Sequence, residues 1–280
     1  GAAAQFGIFF TILVALVLNK VFPGLGFDLK VAASIGIIGA ADGPTSIFVA
    51  SKFAKHLIGP ISVAAYSYMS LVPIIQPPVI KALTTKKERM IRMEYKDVKV
   101  SKTILILFPI FVTVISGIIA PSSVALVGLL MFGNLIRECG VLERLSKAAQ
   151  NELSNLVTLL LGITIGSTMY YESFLSPTTL IILLMGLVAF VFDTAGGVLL
   201  AKLMNLFSKE KVNPMVGAAG ISAFPMSARI VQKMAVKEDP GNFILMHAVG
   251  ANVAGQLGSI VAGGMVLALV PWLLSLKGVI

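Results

Sequence analysis

Asp42 lies in the run Gly36-Ile-Ile-Gly-Ala-Ala-Asp-Gly-Pro-Thr45, a carboxylate between glycine and proline inside an apolar stretch. A charge in hydrocarbon is expensive, so this side chain is expected to face a cavity, a cation or a partner. Glycine and proline free backbone carbonyls, which can share in binding a hard cation. The same aspartate suits the cap of a half-helix starting at Pro44, and the two roles are compatible. A second interrupted run, Asn213-Pro-Met-Val-Gly-Ala-Ala-Gly-Ile-Ser-Ala-Phe-Pro-Met-Ser-Ala-Arg229, carries neutral oxygens at Asn213 and Ser222. Asn252 lies in the small-residue stretch Gly250-Ala-Asn-Val-Ala-Gly255. Such groups serve either as sodium ligands or as hydrogen bonds between membrane helices.

Arg229 at depth needs an anion, and its fork suits a carboxylate or carbamate, unless the side chain snorkels to the interface. Tyr66 and Tyr68 fall on different helix faces. One is expected to anchor at the interface, while the other can donate a proton or hydrogen bond. Asp193, inside an apolar run, is an alternative ion residue. Glu172 reads as interfacial, and His247 as a packed histidine that can also relay protons. Cys139 is the single cysteine, so no disulfide or cysteine metal site is possible. There is no P-loop, metalloprotease or Ser-His-Asp pattern, and no Met-Lys-Met biotin site.

Elements of a membrane protein must position these residues. The chain is 57% apolar and 12% charged, with mean hydropathy +0.94, whereas soluble domains carry about 25% charged residues. At roughly 20 residues per helix, about eight or nine membrane segments fit, giving an all-α polytopic protein. Apolar runs cover 3–22, 30–58, 60–80, 103–120, 122–136, 153–170, 178–201, 213–236 and 243–273. The last accommodates two passes, or one pass and a hairpin. The piece from Arg137 to Glu152 reads as an interfacial helix.

Positive charge is placed in the links. The loop 81–102 holds eight Lys/Arg against three acidic residues, which assigns it to the cytoplasm and argues against nucleic acid as the reason for the net charge of +9. Both interrupted runs carry Gly-Ala-Ala (Gly39-Ala-Ala41, Gly217-Ala-Ala219). Matching breaks in two halves point to two related repeats, taken as inverted, each with a broken helix or re-entrant hairpin. The expected organisation is a first repeat over 1–80 with its broken segment at 30–58, the basic loop 81–102, and the remaining helices over 103–280 with the second break at 213–236. The chain starts without Met on Gly1-Ala-Ala-Ala, and further sequence is expected before it.

Several motifs resemble one family: Gly39 to Thr45, Ala65-Tyr-Ser-Tyr-Met69, Ile75-Gln-Pro-Pro78, Leu83-Thr-Thr-Lys-Lys-Glu-Arg89, Leu129-Leu-Met-Phe-Gly-Asn-Leu-Ile136, and Asn213 to Arg229. They resemble the membrane beta subunit of biotin-dependent, sodium-pumping decarboxylases acting on oxaloacetate, glutaconyl-CoA, methylmalonyl-CoA or malonate. The resemblance implies a subunit of the inner (plasma) membrane that decarboxylates carboxybiotin, consumes a proton and exports sodium. It implies sodium binding or coupling at Asp42, Asn213, Gly217, Ser222 and Asn252. It also implies carboxybiotin handling, proton delivery or coupling at Tyr68, Ser222 and Arg229. Biotin would arrive on a carrier subunit, beside a carboxyltransferase alpha subunit, a small gamma or delta membrane subunit and further copies of the chain. Glutaconyl-CoA is the expected substrate of the complex. The alternative is a secondary transporter, either sodium-coupled for carboxylates or a cation/proton antiporter, with no chemistry.

Overall fold

The computed structural model describes residues 1–95, 100–171 and 175–276. Among these the chain is helical, with no strand. Among the described residues six helices are long and apolar enough to cross a membrane: Ala2–Val21, Lys55–Leu83, Lys102–Ile119, Pro121–Cys139, Pro177–Phe207 and Leu245–Leu276. The two interrupted segments add to these. Two readings of the sequence change. The run 243–273 is one continuous helix, because Gly250 and Gly255 are accommodated within it and no proline intervenes before Pro271. The predicted span 153–170 is not among the six: its α-helical part is Ser154–Ser167, which continues directly from the polar turns before it.

The chain divides into two compact units. The first comprises Gly1–Lys96 and Glu172–Ser259. It contains α1 (Phe6–Val21), α2 (Leu29–Gly36), α3 (Gly43–Phe53), α4 (Ile58–Leu83) and the short α5 (Lys86–Arg89). In the second, Asp97–Tyr171 and Ile260–Ile280, lie α6 (Lys102–Ile119), α7 (Val124–Cys139), α8 (Glu143–Ala148) and α9 (Ser154–Ser167). The first unit also holds α10 (Pro177–Phe207), α11 (Met215–Ala218), α12 (Met226–Glu238) and α13 (Leu245–Leu276) as far as Ser259.

In the second unit α6 and α7 pack as neighbours and bury little of their apolar windows, 11% and 17%. Leu129, Phe132, Phe111 and Ile118 stay exposed, as side chains meant for lipid do. The predicted interfacial piece is interrupted at Gly140, whose φ of 75° ends α7. It resumes as α8 and passes through one π-helical turn, Ala149–Leu153, into α9.

In the first unit α10 forms the spine. Its 31 residues span about 46 Å at 1.5 Å per residue, well beyond a hydrocarbon core. Small residues let the other elements reach its backbone. Gly197 of α10 faces Gly217 of α11 so closely that a side chain on either would run into the other's carbonyl. Gly255 of α13 meets the Gly220 carbonyl in the same way. Such contacts are the usual means of close helix approach in membranes.

The first break is built from local rules. Asp28 caps α2 by accepting from Val31 N at 2.8 Å. After α2 the chain tightens into a 3-10 turn, Ile37–Ala40, and Ala41 takes a left-handed φ of 51°. A residue with a Cβ is strained there by roughly 1–2 kcal/mol. Asp42 then caps α3, with Pro44 in its first turn. The second break is the single turn α11, irregular backbone to Pro225, and α12.

Candidate functional site

The two breaks meet. The Ser222 amide donates to the Ala40 carbonyl at 3.1 Å, and the Ser222 hydroxyl lies 3.4 Å from Asp42 Oδ2. Asp42 Oδ1 accepts from Thr45 N at 3.1 Å, and Oδ2 from Thr45 Oγ1 at 2.9 Å. From α13, Ser259 Oγ reaches the same Oδ2 at 2.9 Å. Three hydroxyls from three segments therefore converge on one carboxylate oxygen. Among the described residues no Lys or Arg pairs with Asp42. Nor do three His, Cys, Asp or Glu residues gather anywhere among them into a metal cluster. One carboxylate with neutral hydroxyls is the donor chemistry of a hard monovalent cation, or of a proton that replaces it.

The hydroxyls can turn. Ser259 Oγ is also 2.9 Å from the Gln256 carbonyl in its own helix, and a hydroxyl has one proton to give. Donated to Gln256, that proton leaves the oxygen lone pairs free toward Asp42. The same atom thus serves a bare carboxylate as donor and a bound cation as ligand.

The other residues expected to act surround this point in different ways. Asn252 is fully buried and donates Nδ2 to the Ile221 carbonyl at 2.6 Å, while its Oδ1 has no hydrogen-bond partner. It therefore holds the backbone immediately before Ser222. Gly217 is the contact point of α11 on α10. Asn213 is brought elsewhere: its Nδ2 donates to the carbonyls of Arg89 and Ile91, both at 2.9 Å, and Oδ1 accepts from Met215 N at 3.1 Å. It ties the start of the second break to the basic loop rather than to Asp42.

Of the two tyrosines, Tyr66 is the one beside Asp42, with its ring against the open face of Gly43. Tyr68 is buried, donates its hydroxyl to the Leu183 carbonyl and packs on Gly186, bracing α4 against α10. Gln76, given no role by the sequence beyond its place in the motif Ile75-Gln-Pro-Pro78, links both halves. Its Nε2 donates to the Ala218 carbonyl at 2.8 Å, and its Oε1 accepts from Ser227 at 2.9 Å. Thr45 and Ser259 were also missed. The spacing of Thr45 from Asp42 is that of a helix cap and could have revealed it. Nothing local marks Ser259.

Arg229 sits on α12, open to a cavity of about 390 Å3 that is also lined by Pro73, Pro77, Lys81, Lys233 and Lys237. The cavity's acidic residue, Glu238, is engaged by Arg89 at 2.8 Å. Four cations therefore face an apolar-walled space of a size that takes small ligands. Its rim is fixed by the loop after α4. Thr85 and Glu88 form a capping box, Lys202 pairs with Glu88 at 3.1 Å, and Arg92 grips Asp239 through two bonds of 2.7 and 2.9 Å. Arg92 holds the Asp239 carboxyl below the usual carboxylate range. For Glu88, burial pushes upward, but the Thr85 amide and Lys202 outweigh it and the carboxyl is lowered.

His247 packs edge-on to Tyr95, 5.8 Å between ring centres, and is not among the contacts of Asp42. Asp193 is buried, and among the described residues neither of its oxygens has a partner. Glu172 lies outside the described residues.

The sequence profile of the Na+-transporting oxaloacetate decarboxylase beta subunit matches residues 1–270. Methylmalonyl-CoA decarboxylase subunit beta of Propionigenium modestum is 56% identical over 269 residues, covering 96% of this chain and 66% of that protein. The oxaloacetate decarboxylase beta chain of Klebsiella pneumoniae is 54% identical over 267 residues, 95% and 61% respectively. Glutaconyl-CoA decarboxylase subunit beta of Acidaminococcus fermentans is 52% identical over 270 residues, 96% and 70%. The chain thus spans about two thirds of the length of these relatives.

Proposed function

The chain belongs to the family of beta subunits of Na+-transporting decarboxylases, and on that premise we propose that it couples decarboxylation of carboxybiotin to sodium export. The observation that carries this reading is the meeting of the two breaks at Asp42, where hydroxyls of Thr45, Ser222 and Ser259 converge on a carboxylate that has no cationic partner among the described residues. Sodium is the transported substrate. It would be held by Asp42 with Ser222 and Ser259 turned to offer lone pairs. Asn252 and Gly217 keep the second break in register, and Asn213 anchors its beginning.

Carboxybiotin, brought by a carrier subunit, would enter the Arg229 cavity with its carboxylate on the guanidinium. Lys81, Lys233 and Lys237 add charge that draws the anion in. Loss of CO2 breaks the N–C bond, leaves the electron pair on the ureido nitrogen and requires one proton there. Arg229 cannot supply it, because a guanidinium stays protonated. Its part is to hold the carboxylate until the proton arrives. Exporting one charge against 100 mV costs about 2.3 kcal/mol, a modest demand on an exergonic decarboxylation.

The partners in this reading are a carboxyltransferase alpha subunit, the biotin carrier, a small gamma or delta subunit and further copies of the chain. The loop 81–102 faces the cytoplasm of a plasma-membrane protein. The acid is chosen in the carboxyltransferase, and glutaconyl-CoA is our proposal for it. Offering glutaconyl-CoA, methylmalonyl-CoA and oxaloacetate to the purified complex decides among them.

The test of function is sodium uptake into proteoliposomes carrying the whole complex, with decarboxylation followed in parallel. Uptake is expected only during decarboxylation, and Asp42→Asn is expected to abolish sodium-dependent activity. Sodium movement that runs equally well without decarboxylation makes the chain a secondary carrier instead.

A further inference from the structure

Asp193 lies near the middle of α10, in the first unit, and is 0% exposed. Among the described residues neither of its carboxyl oxygens has a hydrogen-bond partner. The amides of Gly7 and Ile8 lie close by without reaching hydrogen-bond geometry. The elements packed on α10 are residues 2–5, α1, α2, the turn Ile37–Ala40, α4 and α11. Their charged and titratable groups are Lys20, Lys30, Lys81, Tyr66 and Tyr68, and none forms a hydrogen bond or ion pair with Asp193. On α10 itself, Lys202 is more than two turns away and is held by Glu88 and the Leu83 carbonyl. An ionised carboxylate without a hydrogen bond or a counter-charge costs far more in such a place than a neutral one.

The space it occupies is made by two glycines. A Cβ at Gly7 would come 2.6 Å from Asp193 Oδ1, and one at Gly39 would come 2.5 Å from Oδ2. Gly39 belongs to the 3-10 turn that runs through strained Ala41 into Asp42. The carboxyl is therefore sealed by the first break itself. Nearby elements also carry buried hydroxyls without partners, Thr11 on α1 and Thr194 on α10. They are donors that a rearranged turn could bring into use.

We propose that Asp193 is a second cation-binding carboxyl of the membrane unit, occupied by a proton, and that the Ile37–Ala40 turn couples this proton to the cation at Asp42. When sodium draws Asp42 and its turn into a new position, the seal at Gly39 opens. The Asp193 O–H then gives its proton to water and the carboxylate remains, one positive charge leaving as one arrives. The coupling rests on the reading of Asp42 as the sodium carboxylate.

Infrared difference spectroscopy on the purified complex in vesicles tests it, with sodium washed in and out. Sodium is expected to remove a protonated-carboxyl C=O band in wild type. Asp193→Asn, nearly the same size, should eliminate that band while sodium binding by calorimetry persists. A band that is absent, insensitive to sodium, or unchanged in Asp193→Asn overturns the inference. If Asp193→Asn fails to assemble, wild type with carbon-13-labelled aspartate must still show the labelled band at neutral pH, and its absence is equally fatal. Asp42→Asn keeps the two readings apart: sodium binding that survives it refutes the Asp42 site, whatever the band does.

Discussion

Ser259 Oγ and Asp42 Oδ2, 217 positions apart in sequence, are 2.9 Å apart in the folded chain. The contact joins α13 to the cap of α3 and gives the carboxylate a donor that no local segment supplies. Ser259→Ala takes away the oxygen that would turn its lone pairs to the bound ion, and is expected to weaken sodium affinity of the complex about tenfold, 1.4 kcal/mol being one decade. Ser259→Thr, which restores the hydroxyl, should recover most of it. Sodium titration of decarboxylase activity measures both.

The glycine contact between α10 and α11 makes a steric prediction. A methyl at Gly217 would meet the Gly197 carbonyl, and overpacking of this kind costs about 1–3 kcal/mol. Gly217→Ala should lower the unfolding temperature of the complex and its sodium-dependent turnover together, read by thermal shift and by activity. An unchanged melting temperature would mean that the two helices are not in contact.

Arg229 and the lysines of its cavity should separate by kind of charge. Arg229→Lys keeps the charge and loses the fork that suits a planar carboxylate. It is expected to raise the KM for carboxylated carrier about tenfold or more. Lys237→Gln, at the rim, should act chiefly on association rate and salt dependence. Initial rates at two ionic strengths distinguish them.

The Arg92–Asp239 clasp has a defined pH window. Arg92 depresses the Asp239 carboxyl below its ordinary value of 3.8. A carboxyl depressed in the folded state contributes stability that is fully present above its unfolded value and lost as pH falls through the folded one. The loop 84–95 should accordingly hold its hydrogen-exchange protection from neutral pH down to the ordinary carboxylate range, and lose it only below. Asp239→Asn should remove that transition, and Arg92→Gln should move it up toward the ordinary value, the Gly241 amide still holding the carboxyl at 3.1 Å.

The sequence made some of this visible and hid the rest for physical reasons. Asp42 was legible because a charge beside Gly-Pro inside hydrocarbon admits few explanations, and its cap on Thr45 follows from local spacing. The meeting of the breaks at Ser222 was foreshadowed by the repeated Gly-Ala-Ala. Ser259 and Gln76 were invisible, because their partners lie 217 and 142 residues away. Helix periodicity separated Tyr66 from Tyr68, but only packing decides which faces Asp42. Asn213 carries the chemistry of a ligand and spends it on the carbonyls of Arg89 and Ile91. Glycines at 250 and 255 left room for two passes or a hairpin, whereas α13 continues through both, with Gly255 against the Gly220 carbonyl and open space beside Gly250.

Ala41 has a consequence for anyone who would make this protein sturdier. Its left-handed backbone suits glycine, so Ala41→Gly should relieve roughly 1–2 kcal/mol of local strain. A thermal screen would pick that variant out as an improvement. Yet the relief falls on one resting arrangement of the very turn that, in the proposed coupling, moves when an ion comes and goes. The more comfortable chain is therefore expected to melt later and turn over more slowly, and selection for heat tolerance would work against throughput at this one position.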